Sequence, residues 1–217
     1  MMEIYHKIQS IFKRDPDNNY KTFLEGQWSV AAFGMLAGLQ WQFTEKIDGT
    51  NIRIGWDDVT QQVTFGGRSD NAQLPGQLRV YMENKFTPEL MSDLAGPVTL
   101  IGEGFGGKIQ KGSAYGPDQR FILFDVFIEP WADYPMGLWL PRSEVNTIAE
   151  ILDIPVVATV FTSTLLKGYR SLKTWRPVTE IPDSTRVMEG FVARPTVELR
   201  DRLGQRIITK IKVKDFL

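Results

Sequence analysis

The chain has 217 residues, 42% of them hydrophobic and 24% charged, with a formal net charge of -1. These are the proportions of an ordinary globular protein, and they exclude intrinsic disorder, collagen-like repeats and a long coiled coil. No apolar run approaches the roughly 18 residues a membrane helix needs. The absence of cysteine and the single histidine, His6, remove disulfides, thiolate zinc sites, cysteine nucleophiles, histidine triads and two-histidine metal sites. Chemistry must come from Lys, Arg, Asp, Glu or hydroxyl groups.

In chain order, the start MMEIYHKIQSIFKRD interleaves charge with apolar residues and is not a secretory leader. TFLEGQWSVAAF has no clear period. NIRIGWDD and QQVTFGGRS alternate as strands joined by a turn, which predicts an antiparallel hairpin. Thr87 followed by Pro88 is a helix start, with a capping hydroxyl and a proline at the first position. PVTLIGEGF and QRFILFDVFI read as strands, and Pro130 to Pro141 as a long loop. Ser143 precedes Val145, Ile148, Ala149 and Leu152, which sit at helical spacing, and a third helix is expected from Leu165 to Trp175. GFVARPTVEL and RIITKIKVKDF read as strands, paired through VELR-DRLG-QRIITKI. With no repeat and no linker, the reading is one mixed α+β domain of largely antiparallel sheets flanked by helices.

Two segments invite chemistry. Glu45-Lys46-Ile47-Asp48-Gly49-Thr50-Asn51 places a lysine just before an Asp-Gly turn, where Gly49 is expected to accept positive φ and let the backbone fold around a ligand. An ordinary hairpin turn with an exposed lysine fits the same residues. From Arg186 to Lys214, eight basic residues face three acidic ones. That excess suits an anion, although a solvated basic hairpin or an aggregation-resistant edge strand fits it too. If IKVK is a strand, Lys210, Lys212 and Lys214 share one face, opposite Ile211 and Val213.

Further segments complete a pattern. Gly66-Gly67-Arg68-Ser69-Asp70, TLIGEGFGGKIQKGSAYGPDQRFILFDVF from Thr99, MEGFVAR from Met188 to Arg194 and IKVKDF at the end follow the lysine turn in order. Together they resemble the ordered motifs of covalent nucleotidyltransferases, ATP-dependent ligases and messenger-RNA capping enzymes. The similarity is greatest to the RNA ligase 2 type, and it runs from the Tyr5-His6-Lys7-Ile8 start to Lys214. The resemblance implies a single nucleotidyltransferase domain over residues 1–217, of the kind seen in ATP-grasp-like DNA and RNA ligase catalytic domains. No C-terminal OB-fold or helical domain is expected within it, so the chain is either a bare catalytic domain or a piece of a longer protein.

The same resemblance implies roles. Lys46 would attack the α-phosphate of ATP and hold AMP, Lys212 and Lys214 would contact that phosphate, and Glu189 would be the essential carboxylate near the lysine and a divalent metal. Glu45, Asn51, Arg68, Glu103, Phe124 and Arg194 would bind the nucleotide. Of these, Phe124 would stack on adenine, Glu103 would reach the ribose, and Arg68 would hold ribose or the RNA 5'-phosphate. Phe124 also reads as a core residue sharing a strand face with Ile122 and Val126. Arg194 stands where the family usually has lysine. The expectation is an ATP-dependent RNA ligase using magnesium or manganese, a soluble cytoplasmic monomer of a bacterial or phage-infected cell, acting on nicked duplex RNA in repair. A DNA ligase, a capping-type nucleotidyltransferase and an inactive nucleic-acid-binding module are the alternatives.

Overall fold

The computed structural model describes residues 2–130 and 135–216. The first strands are β1 (Gln9–Ser10), β2 (Phe12–Arg14) and β3 (Phe23–Trp28), followed by α1 (Ala31–Met35) and β4 (Gln40–Lys46). Then come β5 (Thr50–Asp57), β6 (Gln62–Gly66), α2 (Gly76–Lys85), α3 (Pro88–Met91), β7 (Val98–Phe105), β8 (Arg120–Ile128) and β9 (Leu138–Trp139). The rest is α4 (Arg142–Ile151), β10 (Thr159–Thr164), α5 (Leu165–Thr174), β11 (Gly190–Pro195) and β12 (Thr209–Lys212), with a 3-10 turn over Val213–Phe216. The chain divides into two compact units, one of residues 1–6 and 48–157, the other of residues 7–47 and 158–217.

The first unit is built on a five-stranded antiparallel sheet in the order β6-β5-β7-β8-β9. Period-2 alternation sends Ile52, Ile54 and Trp56 of β5, Val98 and Leu100 of β7 and Phe121, Leu123 and Val126 of β8 to one face. There they meet Leu78 and Met82 of α2 and Val145 and Ala149 of α4. The expected β5–β6 hairpin forms, and Thr87 caps α3 by accepting the Leu90 N–H at 3.4 Å. The helix α2 carries little apolar periodicity: only Leu78 and Met82 are buried, while Val80 is exposed.

The second unit has a five-stranded sheet in the order β1-β12-β11-β4-β10, antiparallel except for β1 against β12. A separate β2–β3 pair lies beside it in sequence. Trp41 and Phe43 of β4, Phe191 and Ala193 of β11 and Ile211 of β12 face a core closed by Leu165, Tyr169 and Leu172 of α5.

Three expectations are corrected. The strand of the terminal lysines stops at Lys212, because the chain enters a 3-10 turn closed when Asp215 Oδ2 accepts the Lys212 N–H at 3.1 Å. Lys210 and Lys212 share a face, and Lys214 does not continue it. The VELR–QRIITKI hairpin is reduced to one bridge, Arg200 with Arg206, and the ladder proper joins Gly190–Ala193 to Thr209–Lys212. Within the expected loop from Pro130 to Pro141, Leu138–Trp139 is a short edge strand, and residues 131–134 lie outside those described.

Candidate active site

Lys46 ends β4 and stands directly opposite Gly190 of β11, and Lys212 of β12 stands opposite the same glycine from the other side. Both lysines therefore emerge on the sheet face away from the aromatic core. Gly190 leaves the space between them open and admits the close strand approach, since a Cβ there would lie 2.0 Å from the Ile211 carbonyl oxygen. Glu189 fills the gap: its Oε2 accepts from Lys46 Nζ at 2.6 Å and its Oε1 accepts from Lys212 Nζ. All three side chains are largely but not wholly buried.

Lys210 lies two residues along β12 on the same face, opposite Val192. Its pKa falls to about 8, through burial first and then through the positive charges of Lys212, Lys46 and Lys7. Glu189 opposes the shift only in part. Arg194, on that face two rungs beyond Val192, is buried. Lys214 is exposed on the 3-10 turn.

Glu45 points the other way. It is buried, its Oε1 accepts from the Thr179 hydroxyl at 2.5 Å, and its Oε2 accepts from the Glu180 N–H at 2.9 Å. Burial pushes its pKa up, partly offset by these two bonds. Its carboxylate is thus committed to the segment after α5, where it anchors the strand that carries Lys46. Thr179 and Glu180 were not singled out from the sequence, because their role exists only through a contact more than 130 positions away in the chain.

The remaining predicted residues lie on the first unit. Gly49 does not take the positive φ expected of it. The glycine is required by close approach instead: a Cβ would sit 2.2 Å from the Gly104 carbonyl oxygen and 2.8 Å from Glu103 Cγ. The Asp48 N–H donates to the Tyr115 hydroxyl at 3.1 Å, which fixes the turn. Asn51 and Glu103 are direct cross-strand partners on the face opposite the core. Asn51 Oδ1 is buried with no hydrogen-bond partner among the described residues. A buried acceptor of this kind is costly unless a ligand completes it.

Phe124 corrects the face assignment. Between the pairs Ile101–Asp125 and Gly102–Leu123 the ladder slips by one residue, so Phe124 is the extra residue of a β-bulge. The bulge splits Ile122 from Val126, which no longer share a face, and turns Phe124 out of the core. Its ring is half-buried and lies 5.2 Å from that of Tyr5, whose hydroxyl donates to Asp125 Oδ2 at 2.7 Å. Asn51, Glu103 and Phe124 are therefore gathered on one sheet face.

Arg68 is exposed in the loop after β6. That loop is held by Arg53, which is fully buried and was not anticipated from the sequence. Arg53 donates through Nε to the Gly67 carbonyl at 2.7 Å and through Nη2 to Asp70 Oδ1 at 2.8 Å, bracketing Arg68 on both sides. Its Nη1 donates to the carbonyls of Met2 and Glu3. The signal was an arginine at an outward position of a strand whose other face is core.

Among the described residues no group of three or more acidic or histidine side chains could cage a metal ion. Glu189 is the carboxylate beside Lys46, and each of its oxygens already receives an ammonium group. Such a donor set fits a hard cation that keeps most of its water and arrives with a phosphate ligand, not one held by the protein alone.

The sequence profile of the RNA ligase family matches residues 39–212, and the chain belongs to that family. No curated protein matches the sequence. Among solved structures it is similar to mutants of Naegleria gruberi RNA ligase. An apo form matches at 16% identity with a TM-score of 0.65, over 100% of this chain and 60% of that one. Two forms with ATP and Mn match at 17% identity. The first has a TM-score of 0.65 and covers 99% of this chain and 64% of the other; the second has a TM-score of 0.64 and covers 84% and 52%. The chain thus spans between about half and two-thirds of the length of these structures, and at such identities the likeness is one of fold. The α+β architecture of mainly antiparallel sheets is common to them. Among the described residues no helix is long and apolar enough to cross a membrane.

Proposed function

We propose that residues 1–217 form the nucleotidyltransferase domain of an ATP-dependent RNA ligase of the ligase-2 type. The observation that carries the reading is the row Lys46–Gly190–Lys212 bridged by Glu189, a nucleophile and a cation placed side by side around one carboxylate. Lys46 Nζ attacks the α-phosphorus of ATP, a P–N bond forms, and the P–O bond to pyrophosphate breaks. The amine must first lose a proton, and Glu189 Oε2 at 2.6 Å is the acceptor in reach. Lys212, with Lys214, offsets the charge that develops on the phosphate oxygens. An RNA 5'-phosphate oxygen then attacks the same phosphorus and releases Lys46, and a 3'-hydroxyl displaces AMP to seal the strand.

Phe124, Asn51 and Glu103 are proposed to receive the adenosine, with Arg68 and Arg194 holding ribose or phosphate; the unpartnered Asn51 Oδ1 supports a polar ligand on that face. Magnesium or manganese would reach Glu189 through water and neutralise the triphosphate. A-form duplex RNA, a monomeric enzyme and repair of nicks in the cytoplasm, where ATP is supplied, complete the reading.

Mass spectrometry after incubation with ATP and magnesium tests it. The expected result is one AMP on Lys46, absent from Lys46→Ala. A GMP adduct from GTP would support a capping-type enzyme instead, and no adduct at all would support a binding module. Sealing of nicked RNA against nicked DNA separates the RNA from the DNA ligase.

A further inference from the structure

Within the second unit a cleft of about 980 Å³ runs beside the lysine row. Lys7, Lys13, Arg14 and Lys21 line it from the N-terminal stretch. Lys210, Lys212 and Lys214 line it from β12 and the turn beyond. Against these seven cations the described lining has one acid, Asp215, whose carboxylate is held by Arg14 at 2.6 Å and by the Lys212 N–H. Asp215 on Arg14 and Glu189 on Lys212 answer two of the seven charges, and the cleft keeps a positive excess.

Its rim is also unusual. After the 3-10 turn Pro16–Asn18, both Asn19 and Tyr20 take left-handed backbone angles, with φ of 48° and 59°. A tyrosine in that region is uncommon and costs energy, and here it is held by its N–H bond to the Asp15 carbonyl at 2.8 Å. The conformation presents the Tyr20 ring, 64% exposed, at the cleft edge.

We infer that this cleft binds a single-stranded stretch of RNA flanking the ends to be joined, with Lys7, Lys13 and Lys21 on its phosphates and Tyr20 stacked on a base, leading the strand to Lys212 and hence to Lys46. The inference rests on the ligase reading above. Cations along a groove with an exposed aromatic ring are how a protein takes a single nucleic-acid strand without reading its sequence. A pyrophosphate would need few of the seven cations, little of the volume and no aromatic ring.

The test uses the full chain and a fluorescein-labelled RNA strand carrying a 5'-phosphate, with binding read by anisotropy over a salt series. Adenylylation is measured separately on each variant. In Lys13→Ala/Lys21→Ala the slope of log affinity against log salt should fall by about 1.4, two contacts at about 0.7 each for a single strand. Tyr20→Ala should weaken binding at least about fivefold. Adenylylation by ATP should stay within twofold of wild type in both. Unchanged affinity and slope, or a wild-type protein that does not bind the strand, would overturn the inference. So would a parallel loss of adenylylation, which would give the cleft to the triphosphate. Failure of the ligase reading itself is seen apart from this, as absence of the AMP adduct in the wild-type protein.

Discussion

Lys46 and Lys212 stand opposite the same residue, Gly190, one on each neighbouring strand, so two ammonium groups from positions 166 apart share one carboxylate. The two lysines flank β11 on one sheet face with no side chain from Gly190 between them, and like charges gathered around one carboxylate repel. Glu189 is what permits the arrangement when no substrate is bound.

Glu189→Gln keeps the shape and one acceptor oxygen but removes the charge. We predict that adenylylation falls by about a hundredfold or more, the scale of losing a positioned proton acceptor. The variant should remain folded by circular dichroism. A rate within threefold of wild type would remove Glu189 from the chemistry.

Lys210 gives a pH signature. Its pKa of about 8 lies below the ordinary 10.5, so between those values the unfolded chain binds more protons than the folded one. The stability of the unliganded protein should therefore gain a contribution from Lys210 as pH rises from about 8 to about 10.5. Urea unfolding of wild type and Lys210→Met across this range checks the sign. The difference between them should grow in favour of wild type toward high pH, and a flat difference would refute the assignment.

Phe124 separates binding from stability. Phe124→Ala should weaken ATP binding by about 1–3 kcal/mol, the value of a base stacked on an aromatic ring. Its cost to the fold should be about 1 kcal/mol, the loss of an aromatic pair with Tyr5. Leu123→Ala, one residue away but wholly buried, should instead cost about 2–5 kcal/mol of stability. Calorimetry with ATP, paired with thermal melts, distinguishes the two.

Arg53→Met should leave the carbonyls of Gly67, Met2 and Glu3 short of a donor, each such loss costing about 1–3 kcal/mol. The loop holding Arg68 should then be cut faster by protease. Equal cleavage rates at residues 67–72 would show that Arg53 does not position it.

Much of this was legible in the chain, for reasons that differ by residue. The strands of the first unit alternate cleanly, so Ile52, Ile54 and Trp56 announce the buried face of β5. The lysine turn and the MEGF segment lie far apart in sequence, and the resemblance named both. Their meeting across Gly190 required the ladder. The helix α2 escaped because its buried residues are too few to make a stripe, and β10 because its Thr-rich run has no bounding turn signal. The Phe124 bulge was invisible because alternation assumes an unbroken register, and one inserted residue reverses every later assignment. Lys214 left the expected face because Asp215 folded back on the backbone, a contact that outcompeted continuation of the strand.

Glu189 also sets a threshold. With one of the two lysine charges already answered from within, an arriving anion must outbid a tethered competitor at very high local concentration for part of its gain. Chloride or a lone phosphate offers little margin, whereas a chain of linked phosphates that engages several cations at once offers a large one. The pairing therefore favours an anion long enough to span Lys210, Lys212 and their neighbours over one that meets a single ammonium group.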